Sequence, residues 1–140
     1  MDFLKAFNRI MEEQSEIALA TCVDNIPNVR VVNFYYDTRN KGVIYFSTFA
    51  DNAKIEEFSK NKIVAFTSIP HEGNEHVRVV GATVKKSELT VYDLKEAFIK
   101  KISDYEITIE QVGDQLILFE VKFEQADVTI DFTQSKTIIL

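Results

Sequence analysis

Two arginines lie inside β-branched segments of the sequence, an arrangement suited to binding an anion. Arg30 lies in Asn28-Val29-Arg30-Val31-Val32, and Arg78 lies in His76-Val77-Arg78-Val79-Val80. In an alternating strand the flanking valines face one side and the arginine faces the other. A guanidinium group is the preferred fork for phosphate. On this evidence alone, solvated arginines on an open sheet fit equally well.

A second segment supplies a local device for holding phosphate. The run Tyr45-Phe46-Ser47-Thr48 reads as a strand ending in hydroxyl residues, and Asp51-Asn52-Ala53-Lys54 follows as a turn into a helix. The first turn of a helix has free N–H groups that attract anions. If Arg30 lies across a neighbouring strand, Arg30 and Lys54 together predict a compact pocket with two positive charges.

Composition limits the partners of such a pocket. The 140 residues include 16 basic and 22 acidic ones, a net charge of −6, which repels nucleic acid and anionic lipid at long range. Apolar residues make up 46% of the chain, an ordinary globular value that fits one domain over residues 1–140. No apolar run reaches a membrane-spanning length and no signal peptide is evident, so the expected location is the cytoplasm.

Short strand-like runs dominate the sequence, and tight turns join most of them. Three helical patterns interrupt the runs, one of which begins at Asp2 with apolar residues at the 3, 4, 7 spacing. This pattern favours a mainly β fold, an antiparallel barrel or sandwich with a few helices. The predicted strands are 17–22, 28–36, 43–48, 62–68, 76–85, 115–123 and 128–132, and the predicted helices start near residues 2, 51 and 90.

Several chemistries are excluded or disfavoured by what the sequence lacks. Its few glycines are not spaced as a dinucleotide fingerprint or a phosphate loop. No serine, histidine and aspartate arrangement indicates a hydrolase. His71 and His76 read as loop histidines without metal-ligand spacing, and the single Cys22 reads as a small core residue.

The order of these motifs resembles one known family. Pro27-x-x-Arg30-x-Val32, Tyr45-Phe46-Ser47-Thr48, Asn52-x-Lys54 and Val77-Arg78-Val79 before Gly81 follow one another as in the pyridoxamine 5'-phosphate oxidase-like, FMN-binding split-barrel family. The resemblance extends from about residue 17 to residue 123. It implies an antiparallel six-stranded split barrel that forms a homodimer and binds FMN at the subunit interface.

The resemblance also assigns roles to residues. Arg30 and Lys54 would hold the phosphate, with Asn52 beside them, and the partner subunit would close the site with a further group. The implied cofactor-binding residues are Arg30, Val31, Val32, Asn33, Phe46, Ser47, Thr48, Asn52 and Lys54, with Val77, Arg78 and the loop around Asn74 from the other subunit. Family members often place a tryptophan near the carboxyl end in the pocket, whereas this chain has none and offers Asp131 or Phe132 there.

The function implied is an FMN-dependent oxidoreductase that passes electrons from reduced flavin to a small-molecule acceptor. No catalytic residue is identified, which is compatible with cofactor chemistry. A non-catalytic binder or sensor of FMN or of another phosphorylated cofactor is the alternative, and an all-β dimerisation module without a cofactor is a third. The sequence leaves open the substrate, the electron donor, the turnover of pyridoxamine phosphate and the choice between FMN and a deazaflavin.

Overall fold

The computed structural model describes residues 1–140 and contains nine strands and four α-helices. The helices are α1 (Phe3–Glu13), α2 (Ala53–Lys60), α3 (Lys95–Lys101) and α4 (Tyr105–Val112), and a 3₁₀ turn covers Gly113–Gln115. The strands are β1 (Glu16–Val23), β2 (Ile26–Asn33), β3 (Tyr35–Tyr36), β4 (Val43–Phe49), β5 (Ile63–Ser68), β6 (His76–Lys86), β7 (Leu116–Lys122), β8 (Gln125–Asp131) and β9 (Gln134–Ile139). Every strand pair is antiparallel, which confirms the predicted mainly β class.

One sheet in the order β2-β1-β5-β6-β7-β4-β3 curves into a barrel. The segment predicted as one strand over 28–36 is divided at Phe34, a fully buried residue. Before this bend β2 pairs with β1, and after it Tyr35 and Tyr36 pair with β4. The continuous segment β2–β3 therefore belongs to both edges of the sheet, and its bend at Phe34 leaves a split between β2 and β4.

Strand β6 has two different partners along one of its edges. Its first residues pair with β8, whereas residues from Thr83 onward pair with β7. Gly81, between the two pairings, has a φ of +66°, a conformation that glycine adopts without strain. Strand β6 is therefore irregular at Gly81, and the carboxyl-terminal hairpin β8–β9 continues from the forked edge.

The barrel interior is the main hydrophobic core. Helix α1 begins at Asp2, whose side chain accepts a hydrogen bond from the Lys5 N–H at 3.1 Å. Its fully buried Phe7, Ile10 and Met11 pack into this core. Phe7 meets Tyr36 edge to face, with ring centroids 5.4 Å apart. The predicted apolar face of the first helix thus closes one side of the barrel.

A second, smaller core lies outside the barrel. Strand β4 alternates, so that Phe46 faces the barrel interior while Tyr45 and Ser47 face the other side. Helices α3 and α4 cover that outer side and bury Phe98 and Ile109 against it. The sequence analysis predicted one helix near residue 90 where the chain forms two. The second of them, α4, reaches the split.

The strand count differs from the six implied by the family resemblance. The additional strands are the two-residue β3 and the hairpin partners β8 and β9, which extend the sheet at its edges. Residues 137–140, which lie outside the strands predicted from the sequence, belong largely to β9, which pairs with β8. The barrel itself retains the order needed to bring β2 and β4 together.

Candidate functional site

A groove of about 270 Å³ lies at the split, and we call it the β2–β4 groove. The end of β2, the end of β4, the start of α2 and the inner surface of α3 and α4 form its walls. Its lining residues are Val31, Val32, Asn33, Ser47, Thr48, Phe49, Asn52, Lys54, Phe98, Tyr105, Thr108 and Leu116. The fold therefore brings together seven of the predicted cofactor residues, Val31, Val32, Asn33, Ser47, Thr48, Asn52 and Lys54.

Two larger cavities lack this combination of groups. One of about 710 Å³ lies at the β6 fork, between Lys41 and Lys122. Another of about 480 Å³ lies between α1, α3 and the turn that carries Asp37 and Arg39. Of these three cavities, only the β2–β4 groove combines hydroxyl and amide groups with an ammonium group at a helix N-terminus, so we take it as the candidate site.

The start of α2 forms the cationic end of the groove. Asn52 caps the helix, and its side-chain oxygen accepts a hydrogen bond from the Lys54 N–H at 2.9 Å. Burial, and to a smaller extent the neighbouring Arg30, lower the pKa of Lys54, while Glu57 opposes them. The Lys54 ammonium makes no ion pair, unlike those of Lys60 and Lys85. A half-buried cation without its own counter-ion, at the positive end of a helix dipole, fits a bound anion.

Arg30 lies beside the groove but does not line it. Its guanidinium forms an ion pair with Glu57 and donates hydrogen bonds to Thr21 Oγ1 at 3.0 Å and to the carbonyl of Leu19 at 3.4 Å. The Arg30 and Glu57 side chains are 17% and 20% exposed. In this structure the predicted phosphate-binding arginine is therefore satisfied by groups of its own chain.

Three other predicted cofactor residues lie away from the groove in this chain. Phe46 is fully buried in the barrel core, where it stacks on Phe119 with ring centroids 5.8 Å apart. Val77 is fully buried, and Arg78 forms an ion pair with Asp127 of β8 at 3.3 Å. The last two were expected to reach the groove of another subunit, so their role stays a prediction.

The carboxyl-terminal residues considered for the pocket form a hairpin tip. The Asp131 carboxylate accepts hydrogen bonds from the backbone N–H groups of Thr133 and Gln134, and these contacts, with the Thr133 hydroxyl foremost, lower its pKa. Phe132, between them, is 97% exposed. The tip is thus locally ordered, and its aromatic side chain does not contact the groove of its own chain.

Helix α4 supplies groove residues that the sequence analysis did not identify. The Tyr105 hydroxyl lies 2.6 Å from Ser47 Oγ, and its ring stacks on Phe98 with centroids 4.8 Å apart. Burial raises the pKa of Tyr105 more than its bond to Ser47 lowers it, so the phenol stays protonated at neutral pH. The buried residues Tyr105 and Ile109 are four apart, and they are the only pair of buried residues at helical spacing in α4.

The groove therefore has two chemically distinct parts. Its α2 end offers a positive charge, whereas the middle offers the hydroxyls of Ser47, Tyr105 and Thr108 between apolar side chains. No group of three His, Cys, Asp or Glu side chains in the structure could hold a metal ion. No helix is long and apolar enough to cross a membrane. With a positive charge at one end and hydroxyl groups between apolar side chains in the middle, the β2–β4 groove suits an elongated ligand with a planar apolar part and an anionic end.

Comparison with known proteins identifies the family. The family model described as pyridoxamine 5'-phosphate oxidase-like matches residues 10–135, which include every strand that forms the groove. The chain belongs to this family. A search of curated protein sequences gave no match.

Solved structures share the fold of this pyridoxamine 5'-phosphate oxidase-like protein. A Clostridium acetobutylicum protein related to general stress protein 26, of the pyridoxinephosphate oxidase family, superposes with a TM-score of 0.75 at 15% identity, covering 99% of this chain and 94% of that one. A FAD-binding protein from Mesorhizobium loti gives a TM-score of 0.65 at 17% identity, with 90% of both chains covered. A heme binding protein from Mycobacterium smegmatis gives 0.69 at 9% identity, covering 96% of this chain and 57% of that one.

Proposed function

We propose that this protein binds FMN in the β2–β4 groove and acts as a cytoplasmic oxidoreductase on a small-molecule acceptor. The observation that carries the proposal is the half-buried Lys54 ammonium at the start of α2, which has no counter-ion in its own chain. A phosphate at that position would receive the ammonium and the positive end of the helix. Family membership supports a flavin as the molecule that bears the phosphate.

The remaining groove residues have roles that follow from their chemistry. Val31, Val32 and Leu116 would pack against the planar ring, and Asn33 and Thr48 offer polar groups beside it. Ser47 and Tyr105 share one hydrogen bond, which leaves a second hydroxyl proton for an acceptor atom on the ligand. When bound, FMN would supply the hydride and electron chemistry, and the protein would supply binding, orientation and exclusion of water.

A flavin suits this groove better than heme does. The commonest axial ligands of heme iron are histidine, cysteine and methionine, and the groove lining contains none of them. Its single tyrosine is already bonded to Ser47. The heme-binding neighbour therefore agrees with this protein in fold and does not favour heme as the ligand of this groove.

FMN binding is expected to depend on Lys54. The purified protein, or the protein mixed with FMN, is expected to show a bound-flavin absorption spectrum, and released cofactor should have the mass of FMN. Lys54→Met removes one charged contact, typically about 1.5 to 3 kcal/mol, and should weaken FMN binding roughly tenfold or more in a fluorescence titration. Lys60→Met is the control, because Lys60 lies on the same helix and pairs with Glu56 in solvent. A colourless protein that takes up no added FMN would contradict the proposal.

Catalysis distinguishes the proposed oxidoreductase from a non-catalytic FMN binder or sensor. Apart from Lys54 and the protonated Tyr105, no ionisable side chain lines the groove, so substrate turnover must depend on the cofactor. Oxidation of reduced nicotinamide with an artificial electron acceptor separates the two functions. Rates above those of free FMN support the oxidoreductase, and rates equal to free FMN support the binder.

We also propose that two copies of the chain pair through the outer face of the sheet. Along β2, Val29 and Val31 face solvent, 63% and 57% exposed, next to the partly exposed Ala18 and Ala20 of β1. Val80 of β6, also exposed, adds to the apolar area. Uncovered apolar surface of this kind marks an interaction site, and the same face of a second copy would cover it. Closure of the groove by the partner's segment around Val77 and Arg78 is what the family resemblance implies for such a pair.

The pairing predicts a mass in solution of twice the chain mass. Light scattering at micromolar concentration is expected to give a dimer of the 16.1 kDa chain, with or without FMN. Val29→Glu places a charge in the apolar face and is expected to shift the mass toward the monomer. Lys136→Glu, a charge change on the exposed hairpin, should leave the dimer intact. A monomeric wild-type protein would contradict the interface.

A further inference from the structure

The Arg30–Glu57 ion pair stands directly beside the candidate phosphate position. Glu57 follows Lys54 by three residues on α2, so their side chains lie on neighbouring positions of one helix face. Arg30 is close enough to Lys54 to lower the pKa of the lysine, and Glu57 is close enough to raise it. Lys54 at the cationic end of the groove thus has one positive group, Arg30, and one negative group, Glu57, as neighbours outside the groove lining.

Glu57 holds its position through several contacts. One carboxylate oxygen, Oε1, receives the Arg30 guanidinium. The other, Oε2, accepts hydrogen bonds from Thr21 Oγ1 at 2.9 Å and from Asn28 Nδ2 at 3.4 Å. If Arg30 turned away, the carboxylate would therefore keep two donors and would not be left as a bare, partly buried charge. Release of the arginine is feasible for this reason.

A phosphate and the Glu57 carboxylate would compete for the same guanidinium. Both are anions that accept guanidinium N–H groups, and the Nη2 group of Arg30 already donates to Glu57 Oε1. The negatively charged carboxylate also repels an incoming phosphate, and this repulsion is strong because solvent screens a partly buried charge only weakly. Both effects lower the affinity for an anionic ligand and leave an uncharged ligand unaffected.

We propose that Glu57 is an internal competitor for Arg30 that sets the affinity and charge selectivity of the β2–β4 groove. In the free protein it occupies the guanidinium, and a phosphate-bearing ligand binds fully only when Arg30 leaves Glu57 for the phosphate. The inference rests on the proposed function in that FMN is the ligand used to test it. In this proposal Glu57 weakens the binding of anionic ligands, and Arg30 contributes to that binding only after it has left Glu57.

Glu57→Gln tests the inference, because glutamine keeps the shape and the hydrogen bonds to Thr21 and Asn28 but removes the charge. This variant is expected to bind FMN about tenfold more tightly than the wild type, while the affinity for riboflavin, which lacks the phosphate, stays unchanged. Adding Arg30→Met to Glu57→Gln should abolish the gain. Glu56→Gln is the matched control, since Glu56 lies on the same helix, is 73% exposed and pairs with Lys60.

The outcomes separate this inference from the proposed function. Unchanged FMN affinity in Glu57→Gln, an equal gain for riboflavin, or a gain that survives loss of Arg30 would each overturn the competitor role. If no form of the protein binds FMN, the proposed function fails, and inorganic phosphate becomes the probe in thermal unfolding. A larger phosphate-induced rise in Tm for Glu57→Gln than for wild type then supports the competitor role, and an equal rise overturns it. Glu57→Ala replaces Glu57→Gln if the latter fails to fold.

Discussion

Lys101→Met is expected to remove a pH dependence from the stability of this protein. The Lys101 ammonium lies 3.7 Å from the centroid of the Phe34 ring and donates a hydrogen bond to the carbonyl of Met11 at 2.8 Å. Burial lowers the pKa of Lys101 to about 7, and the charge of Glu12 opposes the shift without cancelling it. The folded protein therefore holds this amine largely uncharged in mildly alkaline solution.

The direction of the pH effect follows from proton binding. In the unfolded chain a lysine keeps its proton up to about pH 10.4, whereas in the folded chain Lys101 loses it near pH 7. Between these values the unfolded state binds more protons, so the free energy of unfolding rises with pH. The contribution approaches about 1.4 kcal/mol for each pH unit once the pH is well above 7. Below pH 7 both states are protonated, and the contribution becomes constant.

Urea unfolding followed by circular dichroism between pH 6 and 9 measures this effect. The wild type is expected to gain stability with rising pH, and Lys101→Met is expected to give a nearly flat profile. Lys100→Met serves as the control, because Lys100 is the exposed neighbour on the same helix and should keep the wild-type slope. Equal slopes for wild type and Lys101→Met would show that the amine remains charged in the folded protein.

Lys100 and Lys101 also illustrate a limit of inference from sequence. Both are lysines at the end of one helix, and nothing in their types distinguishes them. Successive helix residues point about 100° apart, so one faces Phe34 while the other faces solvent. Which of the two becomes buried depends on how α3 sits against the segment around Phe34, a contact between residues far apart in the chain.

The parts of the fold that depend on local pattern could be predicted well. The 3, 4, 7 spacing in α1 and its Asp2 cap are both present. A tight turn joins the first two strands as expected, with Asp24 and Asn25 at positive φ. Helix α4 was missed because Tyr105 and Ile109 are its only buried positions, and Ile107 faces solvent. An apolar pattern this weak falls below what periodicity alone detects.

In the candidate site, too, features set by neighbouring residues could be predicted, and contacts between distant segments could not. Ser47, Thr48, Asn52 and Lys54 are close in sequence, so a strand followed by a capped helix was enough to group them. The partner of Arg30 could not be inferred in this way, because Glu57 lies on another element and reads in the sequence as a solvent-exposed helix residue. Ion pairs between distant segments require the fold, and here one of them changes the expected charge of the site.

Gly42→Ala is expected to be among the most destabilising single substitutions in the chain. Gly42 precedes β4 and has a φ of +76°, which costs other residues about 1 to 2 kcal/mol. Its carbonyl accepts a hydrogen bond from the Phe123 N–H at 2.8 Å, so the two backbones are held together. An added Cβ would overlap the carbonyl oxygen of Phe123, a backbone atom that cannot turn aside.

Strain and overlap together are expected to lower the free energy of unfolding by about 3 kcal/mol or more. Gly73→Ala is the matched control, because Gly73 has a similar φ of +69° and no atom within 4 Å of the added Cβ. It should cost only the conformational part, about 1 kcal/mol. Urea unfolding of both variants measures the difference, and equal losses would show that the contact with Phe123 relaxes freely. Because Gly42 leads directly into β4, a displaced Gly42 should also move Ser47 and weaken binding in the groove, whereas Gly73→Ala should not.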